Sequence, residues 1–296
     1  MGNRLEGRVA IVTGAGRGIG AATAKLMAAE GALVVVSDLG VNVDGRGEDQ
    51  GPAAQVVDEI KSAGGKAVAS FADVSDYDAA QGIIAAALDT FGGLDILVNV
   101  AGILRDRMVF NLTQEDWDAV LAVHARGTFN TTKHASVYWR SQREGTNRRI
   151  INFTSGSGLH GAPGQPNYAA AKMAIVGFTY SCANALGKYG VTANCIAPVA
   201  DTRMIGTIPN ADPERMKQLT PENVAPAVVY LASAESSWLN GQIISAFGHE
   251  IGLYNRPEVI SRIHSKGDWD VDAVFAQMEE SFRPLVTKEP ATVPAE

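Results

Sequence analysis

Two rhythms of apolar positions alternate along the chain. Val9 to Val12 and Ala32 to Ser37 are short, nearly unbroken apolar runs rich in β-branched residues, and Ala21 to Glu30 between them is Ala-rich with helical spacing. A continuous apolar run of about four to eight residues suits a strand covered on both faces, so these three segments predict one βαβ unit. Further strands are predicted at Ala67 to Phe71, Ile96 to Asn99, Arg149 to Phe153, Thr192 to Ala197 and Gln242 to Ala246. Helical patterns separate them at Ala53 to Ala63, Ala79 to Phe91, Gln114 to Trp139, Tyr168 to Tyr189 and Pro221 to Ala234. About seven strands joined by crossover helices predict an α/β fold: a doubly wound parallel sheet with helices on both faces.

Three stretches depart from this spacing. Gly40 to Pro52 is rich in Gly and Asp and reads as a long loop after the second strand. Asp201 to Leu219, with Pro209 and Pro213, follows the sixth strand, where a doubly wound fold places its ligand crevice. Beyond about Tyr254 the pattern turns polar and helical as far as Leu285, then ends in a Pro- and Thr-containing tail. The expected organisation is a main domain of residues 1–254 followed by a C-terminal helical extension of residues 255–296, with no internal repeat.

Composition narrows the function classes. The 296 residues are 46% hydrophobic, enough for one large core, and 25 Lys+Arg against 32 Asp+Glu leave a net charge of −7, which opposes electrostatic binding to nucleic acid. No apolar run approaches the roughly 20 residues of a membrane span, and the N-terminus carries no leader or acylation pattern, so a cytoplasmic location is expected. Cys182 and Cys195 both sit in apolar periodic segments and read as buried thiols rather than a disulfide framework. The five His show no metal-ligand spacing, so no metal site is expected.

The first strand runs into Thr13-Gly14-Ala15-Gly16-Arg17-Gly18-Ile19-Gly20 and then a helix. Glycines allow a sharp turn and a close backbone approach to a pyrophosphate, whose charge suits the helix N-terminus. The spacing departs from G-x-G-x-x-G at Ile19, and a tight turn without a ligand is the competing reading. Asp38 ends the second strand, 18 residues after Gly20, where a carboxylate can accept hydrogen bonds from ribose hydroxyls and repel a 2′-phosphate. This favours NAD over NADP, against which Arg17 could pair with that phosphate; a capping or solvated Asp38 is the bland alternative.

Tyr168 and Lys172 stand at i and i+4 and share one helix face. A lysine cation beside the phenol would favour phenolate, and hence acid/base work, over an ordinary pKa of about 10. Ser155 lies thirteen residues before Tyr168 at the end of the fifth strand, placed to hold a substrate oxygen, although Thr154-Ser155-Gly156-Ser157-Gly158 also reads as a turn.

The loop Thr13 to Gly20, Asp73-Val74, Asn99-Val100-Ala101-Gly102 and Ser155/Tyr168/Lys172 together resemble the short-chain dehydrogenase/reductase family in order and spacing, over Leu5 to about Gly252. The resemblance implies a Rossmann fold, with Tyr168 as general acid/base, Ser155 positioning the substrate oxygen and Lys172 binding the nicotinamide ribose. It further implies Asp73 and Val74 at the adenine, Asn99, Ala101 and Gly102 along the cofactor cleft, and Pro198 and Thr202 on the nicotinamide side. This sequence departs from the family pattern at His124, where an Asn holding a proton-relay water is usual, at Val100 and at Val199. A neutral His124 could carry protons in place of that water, or could simply be satisfied by a backbone carbonyl.

His124 in Val-His-x-Arg-Gly, the long loop after Asp38, and Ala101 to Arg107 look like the (3R)-hydroxyacyl-CoA dehydrogenase domains of multifunctional β-oxidation enzymes, in a stand-alone bacterial form. That likeness implies NAD-dependent interconversion of a (3R)-3-hydroxyacyl-CoA thioester and its 3-oxo form, from fatty or steroid side chains, in a homodimer or homotetramer. Arg105, Arg107 and Arg203 are candidates for CoA phosphates, or plain solvated charges. A 17β-hydroxysteroid or general carbonyl oxidoreductase is the rival on the same site, and a dinucleotide sensor without turnover is the rival of another class.

Overall fold

β1 (Val9–Thr13), β2 (Leu33–Ser37), β3 (Lys66–Ser70), β4 (Ile96–Asn99), β5 (Arg148–Phe153), β6 (Val191–Val199), β7 (Ile243–Phe247) and β8 (Glu250–Leu253) line up in one sheet, in the order β3-β2-β1-β4-β5-β6-β7-β8. This is a computed structural model, and it describes residues 2–142, 147–199 and 219–286. The first seven strands pair in parallel, with Val12 opposite Val36 on one side and Val98 on the other. The eighth pairs antiparallel with β7, so the sheet is not wholly parallel as its pattern predicts. Only Gly248 and His249 separate these strands, with Gly248 at φ +52°. Two residues can make a hairpin but never a crossover.

Alternate strand residues feed two cores. Ala10, Val12, Val36, Val98, Ile151 and Ile196 pack with α1 (Gly18–Ala29), α2 (Gly51–Ser62) and a later helix, Ala225–Ala232, on one face. Val9, Ile11, Val35, Leu97 and Ile150 face α3 (Tyr77–Phe91), residues Ala135 and Trp139, and Ala183 on the other. This double burial explains why the strands carry apolar residues at successive positions rather than every second one. Truncating such a fully buried side chain to Ala costs about 2–5 kcal/mol, so the layers set the geometry above them firmly.

The single helix predicted from Gln114 to Trp139 is two helices. α4 (Gln114–Leu121), capped by Thr113 accepting from Asp116 N at 3.1 Å, runs into a wide π-turn at Ala122–Arg126 before α5 (Gly127–Ser141). Apolar periodicity does not register one extra residue in a turn, and such turns collect at functional sites. After β5 come the short α6 (Gly156–His160) and the long α7 (Pro166–Leu186).

Strand order reverses between β2-β1 and β4-β5, so a crevice opens at the carboxyl ends of β1 and β4. Residues 1–254 form one compact unit and residues 255–296 a second. Within the second, Val271–Ser281 is helical and capped by Asp270, whose carboxylate accepts from Ala273 N at 2.8 Å. No described helix is long and apolar enough to cross a membrane.

Candidate active site

A cleft of about 530 Å³ occupies the crevice. The turn from β1 to α1 forms its floor, with Gly14 at φ +64° and Gly18 at φ +52°, a region that side chains with a Cβ rarely adopt. A Cβ on Gly14 would lie 2.7 Å from Ala101 Cα, and one on Gly20 would lie 2.1 Å from Gly14 O. The missing side chains therefore let two strand ends and a helix start converge on one space. Thr13 Oγ1 completes the floor by accepting from Val100 N at 3.1 Å and Ala101 N at 3.3 Å.

Of the residues singled out from the sequence, Gly14, Arg17, Gly18, Ile19, Gly20, Asp38, Asp73, Val74, Ala101, Gly102, Pro198, His124, Tyr168 and Lys172 all face this cleft. Asn99 does not. It lies beneath the floor, its Nδ2 donating to Asn152 Oδ1 at 2.9 Å and its Oδ1 accepting from Thr131 at 2.7 Å, so it joins β4 to β5 and α5. Thr202 and Arg203 lie outside the described residues.

Asp38 is fixed by the main chain. Oδ2 accepts from Gly16 N and Oδ1 from Gly40 N, each at 2.7 Å. Arg17, the counter-argument for a 2′-phosphate, turns instead to the loop after β2, with Nη2 3.4 Å from Asp49 and Nη1 3.4 Å from Val41 O. Asp73 forms a local turn, accepting from Ser75 N at 2.8 Å and Ser75 Oγ at 2.9 Å.

At the other end of the cleft Tyr168 and Lys172 line the wall, with Ser155 beside the phenol. Ser155 caps α6, accepting from Ser157 N at 3.2 Å, and its hydroxyl lies near enough to the Tyr168 phenol to lower it. Lys172 is buried, its Nζ donating to Phe153 O at 2.8 Å and standing 5.5 Å from the centre of the Tyr168 ring. Burial lowers Lys172 to about 7. Burial likewise pushes Tyr168 up to about 12, against the lowering effect of Ser155 and with a further rise from the Asp106 carboxylate. The expected lowering of the phenol by a lysine cation is not seen: burial dominates, and Ser155 is the group that lowers it.

His124, on the π-turn, is buried with Nε2 3.0 Å from Ile103 N and 2.8 Å from Ile103 O. Its Nδ1 has no protein hydrogen-bond partner among the described residues. Burial, with the Lys172 charge second, lowers its pKa to about 3, so the ring is neutral. The candidate phosphate ligand Arg105 is engaged within the protein: Nε donates to Asp44 O at 2.8 Å and Nη1 to Glu115 at 3.1 Å. The sequence gives no sign of this, nor that Val41, Asn42, Val43 and Gly45 line the cleft; the one available signal was the unusual length of their loop. No group of three or more His, Cys, Asp or Glu among the described residues is placed to hold a metal.

Fold and site together define an oxidoreductase, and comparison with known proteins places the chain within a family. The pattern of the short chain dehydrogenase family matches residues 8–212, and this chain belongs to that family. It is 41% identical over 292 residues to the hydroxyacyl-CoA dehydrogenase ChsB1 of Mycobacterium tuberculosis, covering 94% of this chain and 89% of that one. It is 43% identical over 249 residues to the peroxisomal multifunctional enzyme type 2 of Mus musculus, covering 84% of this chain but only 33% of the longer enzyme. Among solved structures, a short chain dehydrogenase from Mycobacterium avium superposes with a TM-score of 0.83 at 45% identity, covering 94% of this chain and 96% of that one. The family is one of nicotinamide-dinucleotide oxidoreductases.

Proposed function

We propose that the chain is an NAD-dependent dehydrogenase interconverting (3R)-3-hydroxyacyl-CoA and 3-oxoacyl-CoA thioesters. The observation that carries the reaction class is the pairing of Tyr168 and Lys172 at one end of the cleft, with Ser155 beside the phenol. The substrate class is supported by likeness to proteins named as hydroxyacyl-CoA dehydrogenase and peroxisomal multifunctional enzyme. The choice of NAD is supported by Asp38, whose carboxylate is held at the glycine loop by two main-chain N–H groups, and by Arg17 turning to Asp49.

The glycine cradle and Asp38 fit a dinucleotide: a turn closed by Gly14 and Gly18 offers N–H groups to the pyrophosphate, and the carboxylate offers acceptors to the ribose. When bound, the nicotinamide supplies the hydride-accepting or hydride-donating carbon. The protein's own part is movement of the proton. Tyr168, protonated at neutral pH by desolvation, donates its proton to the carbonyl oxygen in the reductive direction; in the oxidative direction it takes the hydroxyl proton as the phenolate, after its own proton has passed to solvent. Ser155, whose hydroxyl lies near the phenol, donates to the same substrate oxygen and holds it in line. Lys172, anchored by the Phe153 carbonyl and beside the Tyr168 ring, would hold the ribose of a bound nicotinamide.

NAD reduction by a series of (3R)- and (3S)-hydroxyacyl-CoAs, run beside free steroid alcohols and repeated with NADP, tests the reading. Turnover confined to the 3R thioesters with NAD is expected. Preference for free steroid alcohols would replace the substrate assignment, and equal use of NADP would remove the cofactor assignment.

A further inference from the structure

The loop after β2 does not lie idle on the surface. It starts beside β1's glycine turn and reaches the segment that follows β4, so it crosses the crevice at the strand-order switch. Leu104 N donates to Val43 O at 2.8 Å, and Arg105 Nε donates to Asp44 O at 2.8 Å. Val41 packs with Ile103 and Val120, and Gly45 passes so close that a Cβ there would lie 2.8 Å from Ile103 Cδ1. Val41, Asn42, Val43 and Gly45 form a wall of the same cleft that Asp38 and Tyr168 line.

The receiving segment is itself bound to the catalytic end. Asn167 Nδ2 donates to Arg105 O at 3.0 Å, and Asn167 Oδ1 accepts from Tyr168 N at 2.9 Å. Gln165 joins Asp106 at 2.8 Å to Ser157 at 2.7 Å, two residues from Ser155. Arg105 is the side chain common to both halves. Its guanidinium holds the loop, its carbonyl is held from the Tyr168 helix, and Glu115 at 3.1 Å and Asp116 at 3.7 Å fix its orientation with the side chain only 12% exposed. A planar, forked donor so placed makes charge-assisted hydrogen bonds that a flexible ammonium does not reproduce.

We propose that residues 41–45 are a strap closed across the dinucleotide cleft, and that Arg105 is the positioning residue that keeps it closed and so governs how long the cofactor stays bound. The proposal rests on the reading of this cleft as a dinucleotide site. A ligand beneath the strap leaves only when the strap lifts, which breaks the hydrogen bonds to Val43 and Asp44. Arg105 therefore acts on dissociation far more than on encounter, since interactions formed after docking alter the off-rate.

Stopped-flow release of NADH from the full chain, chased with excess NAD, tests this. R105A should release NADH at least about tenfold faster than wild type, with association changed by less than about threefold, and R105K should fall between. G45V, which forces the strap off Ile103 from its other side at φ +83°, should reproduce the faster release and carries the test should R105A not fold. R46A, in the same loop but 71% exposed, should release at the wild-type rate. Folded R105A and G45V that release NADH at the wild-type rate, or that weaken binding through slower association alone, would overturn the strap. A wild-type chain that binds no NADH would instead remove the dinucleotide reading beneath it.

Discussion

The imidazole of His124 stands edge-on to the Tyr168 ring, with centroids 5.2 Å apart and planes at 88°. The contact is permitted by Gly102, where a Cβ would fall 2.3 Å from His124 Cε1. Desolvation and the nearby Lys172 charge keep this ring neutral down to about pH 3, against an ordinary histidine value of 6.5. The unfolded chain therefore binds a proton between these values that the folded chain does not. Stability is full above about 6.5 and falls as pH drops towards 3, by up to about 1.4 kcal/mol per pH unit from this group. Urea midpoints at about pH 6 and about pH 5 should drop more for wild type than for H124N. Equal slopes would show that the histidine is not held neutral.

Tyr168 to Phe removes the proton-carrying oxygen but keeps the ring against His124. Turnover should fall by about 10²–10⁴, while NADH affinity, read by fluorescence titration, stays within a few-fold. Turnover near the wild-type level would end the acid/base assignment.

Asp38 bears on cofactor choice by charge. In D38N one oxygen remains to accept a main-chain N–H, but repulsion of a 2′-phosphate is relieved. The ratio of kcat/KM with NAD to that with NADP should fall by about 10–100-fold, a change of about 1.4–2.7 kcal/mol. An unchanged ratio would place the discrimination elsewhere, with Arg17 the next residue to examine.

Gly20 faces the backbone across the glycine turn. A methyl in G20A would sit 2.1 Å from Gly14 O, and neither partner is a side chain that can rotate away. Overpacking of this kind costs about 1–3 kcal/mol and should be accompanied by weaker NADH binding, since α1 must shift. A variant with wild-type urea midpoint and affinity would show the turn to be looser than its geometry.

The layered fold was legible because runs such as Val9 to Val12 and Ile96 to Asn99 are buried on both faces, a demand that only consecutive apolar residues meet. β8 is not legible because Glu250-Ile251-Gly252-Leu253 is a largely exposed edge, too short and too mixed to carry a rhythm. Glycine turn, Asp38 and the Ser155/Tyr168/Lys172 set could be read because each has a local spacing with a chemical reason. Arg105 could not, since its partners Asp44, Glu115 and Asn167 are brought to it by tertiary folding alone. Asn99 misled for a related reason: its neighbours Ala101 and Gly102 reach the cleft, while its own amide turns beneath the sheet end to Asn152.

The wide turn at Ala122–Arg126 sets a rule for length as well as shape. An ordinary helix advances about 100° per residue, so one surplus residue puts α5 out of phase with α4. Val120 and His124 can then aim at the chemistry while Thr131 aims at Asn99 of the sheet and Asn130 at the Val74 carbonyl, as two gears on one shaft. Exchanging side chains here tunes the site, but deleting a single residue would swing the imidazole around the axis and disengage one gear from the other.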